Sequence, residues 1–305
     1  MDGNELTNAA KAADKEAWMK IAVIGTGVIG TGLAEGLIAT GHTVLVYNRT
    51  AAKAQALVDK GANLCMSAAQ AIQDADATVL VLPGAEAVRQ VLLADLASGA
   101  LQGKKLLNAS TTTPEEIESL AKEVSLRGGS LAEVSIMVGG EQLKARQGEF
   151  ILGCDSSEET FWTELLSGVT TFAVRAGVVG AASRAETPVL FSSMFSMVTM
   201  AYAAAAAVRL NIPRAVIDRY VTTSIPGGAY FIPMMLERNH DTAVATVNSF
   251  SDVASTALSA ARSTGLPTGV LEEMQKLFTQ AIARGYGAKN GTAVCEVLLE
   301  PQATA

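Results

Sequence analysis

Basic residues, cysteine and aromatics are all scarce in this chain. Of 305 residues, 23 are Lys or Arg against 30 Asp or Glu, and the formal net charge is −7. A polyanion would be repelled, so neither nucleic acid nor an anionic membrane surface is expected as a partner. The three cysteines, Cys65, Cys154 and Cys295, lie far apart. They form neither a disulfide framework nor a metal-ligand spacing, and the expected compartment is a reducing cytoplasm. With only His42 and His240 besides, no metal is expected. No apolar run reads as long enough to span a membrane. Residues 1–18 lack a basic segment followed by an apolar one, so they read as an N-terminal extension rather than a signal peptide.

What the chain does have is apolar surface. Apolar residues make up 49% of it and charged residues 17%. Much of the apolar share is alanine, which predicts helices packed closely on one another or on a partner subunit.

The most informative stretch runs from Met19 to Thr50. The apolar run Ile21-Ala22-Val23-Ile24 has the length of a buried strand, and Gly25-Thr26-Gly27-Val28-Ile29-Gly30 follows it. A helical pattern (Leu33, Leu37, Ile38), a Gly41-His42 stop and a second strand, Thr43 to Tyr47, complete the unit. Strand, G-x-G-x-x-G, helix and strand in this order are the context of a dinucleotide-binding turn. Its glycines allow the tight turn and the approach of backbone to a pyrophosphate, and the helix N-terminus offers free N–H groups. At the end of the second strand, NAD sites usually carry an acid that bonds the ribose 2′-OH. This chain has Asn48-Arg49-Thr50, with Lys53 one turn later. A guanidinium grips a 2′-phosphate that an acid would repel, so NADPH/NADP+ is the expected cofactor.

The alternation continues. Helices are predicted over 51–60, 67–72 and 85–93, and strands over 77–82, 105–108, 130–135 and 149–152. Pro114 suits a first helical turn, with Glu115 and Glu116 at the positive end of the dipole. After Gly180 strand signals stop. Residues 181–210 read as one long, nearly apolar helix, which must be buried. Further helices are predicted over 214–223, 230–237, 242–263, 268–284 and 290–299. The expected fold is an α/β Rossmann domain with a doubly wound, mostly parallel sheet over 19–178, then a long inter-domain helix and an all-α domain over 179–305.

With these segments in place the chain resembles the β-hydroxyacid dehydrogenase superfamily, and within it the imine reductases, from Met19 to Leu299. The dehydrogenase motif D-x-P-V-S-G-G has its counterpart in Glu133-Val134-Ser135-Ile136-Met137-Val138, where the Pro is missing and Ile136-Met137 is similar to the D-G-A-I-M of imine reductases. In the G-x-x-G-x-G-x-x-x-K-x-x-x-N run, Glu186 takes the position of the catalytic Lys and Leu190 that of the Asn. Imine reductases typically have Asp or Tyr there, so Glu186 departs from both patterns. Phe231-Ile232-Pro233, Arg262-Ser263-Thr264-Gly265 and Gly285-Tyr286-Gly287-Ala288 resemble the imine-reductase tail.

The resemblance implies NADPH-dependent reduction of C=N bonds in a homodimer whose helices interlock. It implies Glu186 as proton donor or iminium anchor, against the plain alternatives of a first-turn acid favoured by the helix dipole or an acid paired with Arg184. It also implies cofactor contacts from Leu82, Pro83, Val88, Asn108, Ser110 and Thr111. Ser110 and Thr111 read equally well as caps for the helix at Pro114. Met137, Phe231, Met234, Met235 and Asp252 would line the substrate pocket, although Met and Phe at helical spacing also fit core and Asp252 also fits a solvated surface. The rival activity is that of a hydroxyacid dehydrogenase or carbonyl reductase without its usual Lys, and the second rival is a non-catalytic NADP(H)-binding protein. The Arg49 reading predicts a lower dissociation constant for NADPH than for NADH in a fluorescence titration. Equal affinity would refute it.

Overall fold

The structure, a computed structural model, describes residues 19–94, 99–225 and 227–299. The extension 1–18 lies outside the described residues. Eight strands form one sheet: β1 (Lys20–Ile24), β2 (Thr43–Tyr47), β3 (Asn63–Leu64), β4 (Ala77–Leu80), β5 (Lys105–Asn108), β6 (Ser130–Ile136), β7 (Gly148–Gly153) and β8 (Thr170–Gly177). Their order is β3-β2-β1-β4-β5-β6-β7-β8. All neighbours are parallel except β6 and β7. The apolar runs seen in the sequence are the strands buried on both faces, as parallel sheets require. Ile21 to Ile24 and Ala77 to Leu80 are buried throughout.

The register decides where the site forms. Ile24 pairs with Tyr47 and with Leu80, Leu80 with Asn108, and Asn108 with Glu133. The carboxyl ends of β1, β2, β4 and β5 therefore stop on one line. Strand β6 runs on past that line to Ile136, which carries Ser135 beyond the edge.

The sequence reading needs several corrections. Strand β4 ends at Leu80 rather than Leu82, because the Leu82 N–H donates to Ser110 Oγ (2.8 Å) instead of to a strand. The two-residue β3 and the edge strand β8 were not anticipated. The helix predicted from residue 242 begins at Val247, where the Thr246 side chain accepts from the Ser249 N–H. The helix predicted over 268–284 is regular over Gly269–Ala281, and a wider turn follows that breaks at Gly285.

The long helix, Ala181–Arg209, follows β8 after three intervening residues and links the sheet to a helical half. Its Met194, Met197, Ala201 and Ala204 are buried in a second core with Ile232, Leu258 and Phe278. One expectation fails here. By length and composition alone this helix could cross a membrane, with 29 residues and a mean hydropathy of 1.6 in its most apolar window. Its methionine stripe instead forms core with neighbouring helices.

The helix of the glycine turn, Val28–Ala39, crosses the short helix Gly140–Lys144 at backbone contact. A Cβ at Gly32 would lie 2.2 Å from the Gly140 carbonyl oxygen. Only backbone meets it there, so nothing flexible can yield. Gly32→Ala should lower stability by about 1–3 kcal/mol, read as a lower urea midpoint. An unchanged midpoint would contradict this packing.

Candidate functional site

The first part of the site is the turn after β1. Gly25 sits at a φ of +99°, and a Cβ there would be 2.0 Å from the Val81 carbonyl oxygen, so the chain passes β4 as closely as glycine permits. A Cβ on Gly27 would meet nothing within 4 Å, so this backbone borders open space. No side chain caps the helix that begins at Val28, which leaves its first-turn N–H groups for a ligand. Thr26 Oγ1 is buried and lacks a hydrogen-bond partner among the described residues. An uncapped helix start, a free cradle and an orphaned hydroxyl fit a dinucleotide pyrophosphate.

Asn48 has a structural part in this. Its Oδ1 accepts from the Thr26 N–H (3.2 Å) and its Nδ2 donates to the Thr50 carbonyl (3.0 Å). The amide thus locks the glycine turn to the end of β2. Arg49 and Lys53 stand exposed beside it and have no ion-pair partner among the described residues. Val28 and Ile29 are partly open at the start of the helix, and Gly30 is buried beneath the turn.

The second part is the pair of loops after β4 and β5. Ser110 Oγ accepts from the Leu82 N–H and donates to the Leu80 carbonyl (3.3 Å). Asn108 Nδ2 donates to the Ser110 carbonyl (3.0 Å), and Asn108 Oδ1 accepts from the Ser110 N–H (3.2 Å). Both side chains are buried and hold the loops together. Their side chains thus serve the loops themselves, and the reading of Ser110 as a helix cap is corrected. The cap is Thr113, which forms a capping box with Glu116 ahead of Pro114. Leu82, Pro83 and Thr111 remain at least partly open along the same edge. Val88 does not: it is fully buried in the core with Leu92, Ile117 and Leu120. An apolar residue one turn into a helix faces the sheet it packs on, and no surface of Val88 is left for an adenine.

The third part joins sheet to helix. Glu133 on β6 is buried, with 2% of its surface exposed. Its Oε1 accepts from the N–H groups of Gly180 and Ala182, and its Oε2 from the N–H and hydroxyl of Ser183. It caps the long helix, whose own N-cap residue, Gly180, has no side chain. Gly153 lies opposite on β7, and a Cβ there would be 2.4 Å from Glu133 Oε1. Burial pushes the Glu133 carboxyl up, against the donors that favour its charged form. Every partner donates and the helix dipole is positive here, so the anion is the form this geometry holds.

Two residues along β6 on the same face, Ser135 Oγ donates to Glu186 Oε2 at 2.7 Å. Glu186 is half-buried. Burial pushes its carboxyl pKa up, the hydrogen bond from Ser135 opposes this, and the charge of Glu133 adds to the rise. Arg184 does not pair with Glu186 but turns away to Glu118. Sequence reasoning singled out Glu186 and gave Glu133 and Ser135 no role. Two polar residues at period two inside the buried strand Ser-Leu-Ala-Glu-Val-Ser-Ile were the available signal.

The proposed pocket residues divide. Met137, Phe231 and Met234 are half-buried, and Asp252 is exposed on the helix Val247–Thr264. Met235 is fully buried in the helical core and lines no pocket, which corrects that assignment. Elsewhere His240, Cys295 and Glu296 converge, with ligand atoms within 4.8 Å of one another. Their donors are already engaged. The His240 ring bonds Thr292 Oγ1 and Glu296 Oε1, each at 2.9 Å, and Arg238 holds Glu296 from its other side. Burial pushes the Cys295 thiol up to about 12, so it is no ready thiolate ligand.

Comparison with known proteins supports this geometry. The family model described as the NAD binding domain of 6-phosphogluconate dehydrogenase matches residues 20–180. The chain is 37% identical over 145 residues to the probable 3-hydroxyisobutyrate dehydrogenase-like 1, mitochondrial, of Arabidopsis thaliana, across 46% of this chain and 42% of that one. The match thus spans less than half of that relative. It is 26% identical over 287 residues to 3-sulfolactaldehyde reductase of Escherichia coli K12, covering 90% and 94% of the two chains. Among solved structures, 3-hydroxyisobutyrate dehydrogenase from Salmonella typhimurium superposes with a TM-score of 0.80 at 20% identity, over 91% of this chain and 99% of that one. A reductive aminase from Aspergillus terreus in complex with NADPH and ethyl-5-oxohexanoate gives 0.60 at 22% identity, over 92% and 100%. These two share the fold. Over residues 20–180 the chain belongs to the family of the NAD binding domain of 6-phosphogluconate dehydrogenase, and it is an NAD(P)-binding protein.

Proposed function

We propose that the chain is an NADPH-dependent reductase of C=N bonds, with Glu186 as the proton donor. One observation carries this reading. A carboxyl occupies the catalytic position, and the charge that acts on it is that of a second carboxyl, Glu133. A cation there would hold an anionic hydroxyacid and stabilise charge on its oxygen. The Glu133 anion repels that substrate and favours the cationic iminium that forms when a neutral Glu186 protonates the imine nitrogen.

Thr26, the amides at Val28 and Ile29, and Arg49 would hold the cofactor, with Arg49 on the 2′-phosphate. When bound, the nicotinamide supplies a hydride to the substrate carbon. Glu186 gives its proton to the substrate nitrogen, is left as a carboxylate, and regains a proton from solvent. Its raised pKa favours this role over that of a fixed anion. The sign of the pH dependence follows. The acid works in its protonated form, so kcat falls as pH rises through the Glu186 pKa, and this limb lies above the ordinary carboxylate range.

A second reading, reduction of a carbonyl by the same acid, is favoured by the likeness to 3-sulfolactaldehyde reductase over most of the chain. A paired assay separates the two. NADPH consumption with a small cyclic imine supports C=N reduction. NADP+ reduction with a small β-hydroxyacid, and no NADPH consumption with the imine, supports the second reading. Silence in both supports a non-catalytic binding protein. On the first reading Glu186→Gln lowers imine turnover by about 10²–10⁴-fold and leaves the NADPH dissociation constant unchanged. Retained turnover would remove Glu186 from the mechanism.

The long helix presents Phe195 and Tyr202 to solvent on the side away from its methionine stripe, and Val189 and Val208 are exposed as well. We propose a second copy of this chain as their cover, in line with the homodimer implied by the resemblance. The three cysteines are free and buried, which suits the reducing cytoplasm proposed for it. Light scattering should give the mass of a dimer; a stable monomer would refute the pairing.

A further inference from the structure

We propose that Ser135 is the positioning residue for Glu186, and that the capping anion Glu133 fixes both the place and the charge environment of that acid. The proposal rests on the reading of Glu186 as proton donor and deepens it.

The geometry comes from two periods meeting. Along β6, Glu133 and Ser135 are two residues apart and share a face. Along the long helix, Ser183 and Glu186 are three apart and share a stripe. Glu133 bonds Ser183 and Ser135 bonds Glu186. The two contacts form a ladder between strand and helix. The lower rung is an ion held by donors in a buried place. The upper rung is a single hydroxyl on a half-buried carboxyl. Without the upper rung, Glu186 keeps its backbone position but loses the contact that selects its rotamer. Glu186 reaches over the sheet edge on a side chain with three free torsions, so that contact is what fixes its aim.

The elements packed against the long helix leave Glu133 as the governing charge. Glu118 is paired with Arg184. Arg175 on β8 donates to the Cys154 carbonyl and lies 3.6 Å from Glu159. Glu149 on β7 and Asp252 are exposed, and Glu296 is held by Arg238 and His240. Glu133 lies beneath Ser135, and its anion disfavours a second negative charge at Glu186. Ser135 acts in the other direction, because an O–H donated to a carboxylate favours the charged form. The two neighbours therefore push the same titration in opposite senses.

The test uses the full-length protein. Glu186 is followed by the pH-dependent carboxylic C=O band that is present in wild type and missing in Glu186→Gln infrared difference spectra, with no substrate. In Ser135→Ala this band titrates at higher pH than in wild type, and in Ser135→Thr it returns toward the wild-type value. In Glu133→Gln it titrates at lower pH; since that variant removes the helix cap, Ser135→Ala carries the test alone if Glu133→Gln fails to fold. With an imine that is turned over, Ser135→Ala lowers kcat roughly 10- to 100-fold with little change in KM, and Ser135→Thr restores most of it. An unmoved band in Ser135→Ala overturns the proposal even if Glu186 proves to be the acid. A moved band in a protein that reduces no imine upholds the pairing and refutes the assigned reaction instead.

Discussion

The Glu133 carboxylate lies where β6 meets the first turn of the long helix, and both of its oxygens accept hydrogen bonds from that helix. Three of its four partners are backbone or side-chain donors within residues 182–183, and the fourth is the N–H of Gly180. A helix start buried against a sheet cannot leave such groups unpaired without a large loss of stability. Glycine at the N-cap offers no side chain, so the cap has to come from the sheet. This one interaction fixes how far the helix advances over the sheet edge, how it is rotated, and hence which of its residues face the sheet.

Much of the site follows from that placement. With Ser183 held down, Glu186 and Leu190 fall on the same side of the helix, toward the sheet, while Arg184 is directed outward to Glu118. Since β6 alone among its parallel neighbours continues beyond the common carboxyl edge, Ser135 is available to meet Glu186. The loops after β4 and β5 are tied to each other by Ser110 and Asn108, so this edge is rigid where the glycine turn needs a firm support. The cofactor cradle and the acid are thus held by separate sets of contacts that share one sheet.

The glycine turn was legible because its chemistry is local: strand, turn and helix lie within one stretch, and the residue at each position answers to its own backbone. The long helix was legible because little but alanine, methionine and other apolar residues runs through it. The role of Glu133 was not, because its partners lie 47 to 50 residues away. Val88 and Met235 show another limit. An apolar residue at helical spacing points at something apolar, and only the packed chain shows whether that is core or a ligand. Asn108 and Ser110 were noticed for the right reason, as polar residues at the sheet edge, yet the edge itself takes up their hydrogen-bonding capacity. The two edge strands of the sheet, β3 and β8, escaped the sequence reading through short length in one case and an exposed edge position in the other.

Pro188 lies inside the long helix, two residues past Glu186. It has no N–H to return to the carbonyl of Arg184, so the ladder of helix hydrogen bonds is interrupted at that point. The segment before it is clamped by the Glu133 cap, and the segment after it belongs to the helical core. Any swing of the helical half about this joint would leave residues 181–187 travelling with the sheet. On the proposed mechanism the carboxyl of Glu186 would then keep its distance to the glycine turn while the helical half moved on the other side of a single proline.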